Sequence, residues 1–155
     1  MRGLTVFGLG MALAQPAAAQ DAPQRFQGPL HYCGVEFATD LAADETTEAQ
    51  HGPDFILERL IGPRGGFGIY EGSAPQYGPG EDKVEAGLGV PTYRLKAQDG
   101  IRGYVIWTGS VSHPFYLHVY GEAFKGTDDD FRLLKRLQFG DARHCARPSF
   151  DQAAK

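Results

Sequence analysis

The chain has 155 residues, a net charge of −4 and two cysteines. Its 21 glycines and 10 prolines exceed ordinary usage, so irregular connections are expected to outnumber helices. Mild acidity without a basic stripe argues against a phosphate-backbone partner, and no nucleic-acid binding is expected.

Met1-Arg2, the apolar run from Leu4 to Ala14 and the small-residue exit Gln15-Pro16-Ala17-Ala18-Ala19 have the layout of a secretory signal peptide, with cleavage expected after Ala19. That run is too short for a permanent membrane helix, and no later segment approaches about 20 apolar residues, so no membrane span is expected. Cys33 lies too far downstream to serve as a lipid anchor. A periplasmic or secreted location follows. What remains is roughly 135 residues, the size of one domain. The expected organisation is a signal peptide over 1–19, a flexible lead-in over 20–30, a single domain over 31–147 and a tail over 148–155.

In an oxidising compartment Cys33 and Cys145 pair most simply as one disulfide joining the two ends of the domain. A first strand is expected over His31 to Phe37, with His31, Cys33, Val35 and Phe37 on its apolar side. The acidic, Thr-rich stretch from Asp40 to Gln50 lacks a sustained apolar stripe and reads as a surface excursion. Next, Gly62-Pro63-Arg64-Gly65-Gly66 is a turn cluster. It joins Asp54–Ile61 to Phe67–Glu71 as a hairpin with Phe55, Leu57, Ile61, Phe67 and Ile69 facing in. The stretch from Gly72 to Pro91 has no period of either kind and reads as a surface or functional loop.

The densest strand chemistry lies between Thr92 and Tyr120. Asp99-Gly100 suits a two-residue hairpin turn, which would place Tyr93 opposite Ile106 and Leu95 opposite Tyr104. After a turn carrying Gly109 and Pro114, Phe115, Leu117 and Val119 alternate with Tyr116, His118 and Tyr120, the period-two mark of a strand with one aliphatic and one amphipathic face. From Thr127 to Gly140 a helix is expected over Asp128 to Phe139. Thr127 would cap it, the three aspartates sit at its positive end, Gly140 stops it, and Phe131, Leu133, Leu134 and Leu137 form its apolar side. The expected fold class is therefore α+β: an antiparallel sheet of about six strands in mostly meander order, one C-terminal helix on a face, and one disulfide.

No catalytic signature emerges. Gly109-Ser110-Val111-Ser112-His113 lacks the second glycine of a nucleophile elbow and lies between antiparallel strands. His31, Cys33, His144 and Cys145 offer zinc-type donors without the close C-x₂₋₄-C pair, and exported thiols oxidise, so no metal site is assigned. Asp128-Asp129-Asp130 lacks the alternating spacing of a calcium loop. Acidic residues are too many to single out a glycosidase pair. No catalytic residue and no cofactor is assigned.

The remaining candidate is a recognition face formed by Tyr116, His118 and Tyr120, joined by Trp107 from the neighbouring strand. Rings with polar tips bury much area while offering hydrogen bonds to a small molecule, a glycan or a protein partner. The functional expectation is a non-catalytic binding or interaction module. The alternative is a small periplasmic hydrolase with dispersed residues under the 72–91 loop.

Overall fold

The structure is a computed structural model and describes residues 22–63, 65–73, 79–95, 100–109, 115–140 and 145–148. Asp99 and the 110–114 turn lie outside these residues, as do His144 and the expected signal peptide. The strands are β1 (Gln24–Gln27), β2 (Leu30–Cys33), β3 (Ala38–Leu41), β4 (Thr46–His51), β5 (Phe55–Ile61), β6 (Phe67–Gly72), β7 (Pro79–Val84), β8 (Thr92–Leu95), β9 (Gly103–Trp107) and β10 (Tyr116–Tyr120). A 3₁₀ turn at Asp128–Asp130 leads into the short helix α1 (Phe131–Leu134). Mostly antiparallel sheet with one short C-terminal helix and one disulfide is α+β in its broad outline.

Eight strands rather than about six form the main sheet, in the order β1-β4-β5-β6-β10-β9-β8-β7, while β2 and β3 pair separately. Two meanders, β4-β5-β6 and β7-β8-β9-β10, are thus joined edge to edge through β6 and β10. Three of its strands come from stretches expected to be irregular, while the expected first strand lies in the separate β2–β3 pair. β4 lies in the supposed excursion, where Thr46 and Thr47 are buried, because β-branched threonines suit a pleated, half-buried surface. β1 falls in the expected lead-in and pairs with β4. β7 occupies the middle of the supposed 72–91 loop and pairs with β8.

One face of the sheet carries the core. Leu60, Phe67, Ile69, Tyr104, Ile106, Leu117 and Val119 pack there against Tyr32, Phe37 and Leu41 of the β2–β3 layer and against Phe124, Leu134 and Leu137. The first strand is shorter than expected, for the chain turns after Cys33 and Val35 is 51 % exposed. In β5 the inward residues are Ile56, Glu58 and Leu60, not Phe55, Leu57 and Ile61. Both alternations in Phe55–Ile61 are apolar enough to face in; the choice is made by Tyr32, whose hydroxyl donates to Glu58 Oε1 at 2.5 Å.

The β8–β9 register also differs from expectation by one residue, pairing Thr92 with Ile106, Tyr93 with Val105 and Arg94 with Tyr104. Tyr93 therefore projects from the face opposite Tyr104 and Ile106, since a one-residue slip reverses every side chain. Gly100 has φ 77°, the left-handed conformation that a glycine adopts without steric cost.

The C-terminal helix is a single turn rather than a run to Phe139. Thr127 is extended (φ −117°, ψ 169°) and makes no side-chain capping bond. Asp130 instead turns back, accepting from the backbone N–H groups of Lys125 at 2.9 Å and Gly126 at 2.7 Å and from the Tyr104 hydroxyl at 3.0 Å. Beyond α1 the chain leaves the helical path because Gln138 and Ala38 exchange two backbone bonds of 2.8 Å. The expected apolar side survives this, with Leu134 and Leu137 buried and Phe131 and Leu133 packed at the core's margin.

Three devices fix the β2–β3 hairpin over the sheet. Cys33 and Cys145 form the expected disulfide, with Cα atoms 5.7 Å apart, and backbone bonds run from Cys33 N to Ala146 O and from Ala146 N to His31 O. Glu71 of β6 reaches into the hairpin turn and accepts from Val35 N at 2.9 Å and Glu36 N at 2.8 Å. Gly34 makes room for it, since a Cβ there would lie 2.4 Å from Glu71 Oε1. Finally, Arg136 grips Glu45 with two bonds of 2.9 and 2.6 Å.

Candidate binding site

Directly paired residues of neighbouring strands project to the same side, so the register defines three rows on the face away from the core. The first runs Phe55, Gly72, Tyr116, Trp107. The second runs Gln50, Leu57, Tyr70, His118, Val105, Tyr93. The third runs Glu48, Arg59, Gly68, Tyr120, Gly103.

All four expected recognition residues thus lie on one face, with Tyr116 directly opposite Trp107. Their accessibility divides them. Trp107, Tyr116 and Tyr120 are half-buried, whereas His118 is only 1 % exposed and supports the rows from within. Phe55 stacks on Tyr70 at 5.5 Å and Tyr70 lies 5.4 Å from His118, so these rings cover one another across three strands. Burial lowers the His118 pKa to about 4 from its ordinary 6.5, because the charged imidazolium loses hydration there. Trp107 Nε1 is buried without a hydrogen-bond partner among the described residues.

At the Tyr120 end the face opens into a cleft of about 950 Å³, with Glu48, Gln50, Arg59, Gly68, Tyr120 and Lys125 among the residues that line it. Among the described residues, none of its lining comes from 72–91. A Cβ on Gly68 would meet Tyr120 Cζ at 3.0 Å, Cε2 at 3.1 Å and Oη at 3.2 Å. Because Cζ is the nearest of the three, the ring lies face-on over the glycine rather than edge-on. Arg59 is exposed and has no ion-pair partner among the described residues, while Glu48 stands 4.0 Å from Arg25.

The sequence did not single out Glu48, Arg59 or Gly68, which arrive from three strands. The one local signal was Gly68 itself, since a glycine inside a strand pattern marks a close approach.

A pair of buried acids lies on the other side of the sheet. Glu58 and Glu71 are 3 % and 1 % exposed. Burial and the neighbouring Glu71 carboxylate hold the Glu58 carboxyl well above its ordinary range. Burial also raises Glu71, but the N–H groups of Val35 and Glu36 oppose the shift. Both carboxyls are thus pushed toward the neutral form, and the N–H bonds to Glu71 favour the proton on Glu58. This protonation satisfies Glu58 Oε2, which no donor faces, while Oε1 takes the Tyr32 hydroxyl. Tyr32 is in turn held protonated by burial and by Glu58. Nearly fully buried beneath the β2–β3 hairpin, these groups hold the layers together, and Glu58 also contributes to the lining of the cleft.

Among the described residues, no three His, Cys, Asp or Glu side chains come together as metal ligands, and no helix is long and apolar enough to cross a membrane. The chain matches no protein-family model, no curated protein and no solved structure among those compared with it.

Proposed function

We propose that this chain is an exported, non-catalytic binding module whose open sheet face takes up a small molecule, a glycan or a protein partner. One observation carries the reading: three half-buried aromatic residues, Trp107, Tyr116 and Tyr120, share one face with a cleft, on a sheet whose other face carries the core. Rigid rings with polar tips supply contact area at low entropic cost. Export accords with the disulfide, since such bonds persist in oxidising compartments. The hydrolase alternative is less well supported. His118 and the Glu58–Glu71 pair are buried, and no described residue of the 72–91 segment lines the cleft.

The test is a screen of the isotopically labelled, oxidised protein by amide chemical shifts against small-molecule, glycan and protein ligands. Binders are expected to shift Trp107, Tyr116 and Tyr120 and to lose affinity for the Tyr116→Ala/Tyr120→Ala double variant. A ligand or partner bound equally well by that variant counts against the reading. Export itself is read by N-terminal sequencing of the protein recovered from cells, where a chain beginning at Gln20 is expected.

A further inference from the structure

The β2–β3 hairpin is anchored to the C-terminal segment on both of its strands and to the sheet through a carboxylate at its turn. Cys33 carries the disulfide and donates its N–H to Ala146 O at 3.0 Å, and Ala38 exchanges bonds of 2.8 Å with Gln138. Between these fixed points Gly34 N donates to Phe37 O at 2.9 Å, so residues 34–37 form a closed turn that can move as a unit about Cys33 and Ala38. Glu71 holds that turn down through Val35 N and Glu36 N, with Phe37 packed into the core beside it.

A second acid stands behind Glu71. The register pairs Glu58 with Ile69 and Ile56 with Glu71, which sets the two carboxyls diagonally across β5 and β6 on the core face, within reach of one another. Two buried charges there are costly, because no cation among the described residues faces them. From β2 comes the Tyr32 hydroxyl, 2.5 Å from Glu58 Oε1, from β3 comes neutral Thr39, opposite Tyr32, and from the turn comes Glu36, itself an acid. His51 shares the row of Glu71 but is exposed, and Ile56 stands between them. His31 and Asp40 pair with each other at 2.7 Å on the hairpin's outer side. Of the C-terminal basic groups, Arg136 is engaged by Glu45 and Arg147 is exposed. Among the residues that line the cleft with Glu58, Glu48 and Arg59 project from the opposite face, and Lys125 Nζ donates to the Glu122 carbonyl at 2.9 Å. The closed turn therefore suits one negative charge, at Glu71 where the N–H groups meet it, and not two.

We propose that the Gly34–Phe37 turn is a pH-sensitive flap over the Glu58–Glu71 pair, closed while the pair holds a proton and open, hinged at Cys33 and Ala38, once both carboxyls are charged. Opening admits water to both groups, and one proton leaves Glu58 for solvent each time. In the open turn the carboxyls ionise in their ordinary range, near 4.5, whereas the closed turn keeps one proton above it. The open fraction therefore rises with pH, by up to about tenfold per pH unit between the ordinary value and that of the closed pair. The flap is on the opposite side of the sheet from Trp107, Tyr116 and Tyr120 and stands whether or not that face binds a ligand.

The experiment measures amide hydrogen exchange of the labelled, oxidised protein in a pH series from near 4.5 to about 8, with each rate corrected for that of an unstructured peptide. Protection of the Val35 and Glu36 amides is expected to fall with rising pH relative to the amides of the central strands β6 and β10. Glu58→Gln, which keeps an acceptor for Tyr32 and removes the charge, should hold those two amides protected throughout the series. A Val35 and Glu36 protection that keeps a constant ratio to the central strands overturns the flap, since the whole sheet then opens together or nothing opens. A pH dependence that survives in Glu58→Gln overturns the role of the acid pair. If Glu58→Gln does not fold, the side-chain carboxyl carbon shifts of the parent decide: Glu58 should keep its protonated shift above the ordinary range and lose it over the same pH interval in which the turn loses protection. Titration of both carboxyls near 4.5 overturns the proposal.

Discussion

The two buried glutamates are chemically alike but hold different protonation states, and isosteric substitution should separate them. Glu71 is the anion of the pair and accepts charge-assisted bonds from Val35 N and Glu36 N at 2.9 and 2.8 Å. Glutamine at 71 keeps one acceptor oxygen and turns an NH₂ toward a second donor. With such bonds contributing about 1.5–3 kcal/mol each, Glu71→Gln should lose about 2–4 kcal/mol. Glu58 carries the proton, so Glu58→Gln keeps its shape, its acceptor for Tyr32 and a donor toward Glu71, and should stay within about 1 kcal/mol of the parent near pH 5. The sign of the pH dependence follows from the raised folded-state pKa. Above the ordinary 4.5 the unfolded chain has released this proton and the folded chain has kept it. Parent stability therefore falls as pH rises toward the folded pKa, by up to about 1.4 kcal/mol per pH unit. Glu58→Gln loses that slope and should gain on the parent as pH rises above the ordinary 4.5. Urea unfolding of the oxidised proteins across this range reads both effects. Equal losses for the two variants near pH 5, or a Glu58→Gln difference that does not change with pH, would refute the shared-proton arrangement.

His118 gives a slope of opposite sign. Its folded pKa near 4 lies below the ordinary 6.5, so stability should fall as pH drops through this window, by up to about 3 kcal/mol in total. His118→Gln should flatten the acid limb of the same urea series, and an unchanged limb would contradict the burial of the ring. Arg136→Ala takes the guanidinium away from Glu45, only 2 % exposed, which keeps the Ala42 N–H bond of 3.0 Å, and should cost about 3–5 kcal/mol, most of it recovered in Glu45→Gln/Arg136→Met; thermal melts check the pair. Cys33→Ser opens a link spanning 112 residues and should cost about 4–5 kcal/mol in the loop-entropy limit, less where the unfolded chain retains structure. A variant with an unmoved denaturation midpoint would show that the remaining contacts hold the hairpin unaided.

Much of the fold was legible where turns and apolar alternation coincide. The β5–β6 hairpin, the β9–β10 pairing and the single disulfide were all within reach of local pattern and cysteine arithmetic. Face and register were harder to read because partners distant in sequence decide them. Phe55-Ile56-Leu57-Glu58-Arg59-Leu60-Ile61 offers two plausible apolar sides, and the deciding group, Tyr32, lies 26 residues away. The β3 and β4 strands were hidden by polar composition, since a buried threonine looks like a surface residue until its neighbours are known. The helix was over-read because aspartates suited to a first turn serve equally well as acceptors for a preceding loop, which is what Asp130 does. On the open face the strand alternation placed Tyr116, His118 and Tyr120 together correctly but carried no information about depth, and His118 proved to be interior.

The two faces divide the work in a way that bears on how variants should be read. The sealed face contains the disulfide link, the Glu71 anchor in the hairpin turn and the apolar core, so substitutions there act through stability and reach binding only by unfolding the sheet. On the open face Arg59 is exposed and has no ion-pair partner among the described residues, and Tyr116 and Tyr120 are half-exposed, so truncating them removes less buried area than a core substitution does. Substitutions at Arg59 and Tyr120 should therefore change affinity while leaving the unfolding midpoint nearly still, and those at Glu71 or Arg136 should do the reverse. Gly68 bridges the two cases, because its backbone belongs to β6 and its missing side chain belongs to the cleft. A methyl group there that lowers affinity without lowering stability would locate the function in the Tyr120 ring it displaces, independently of any ligand chemistry.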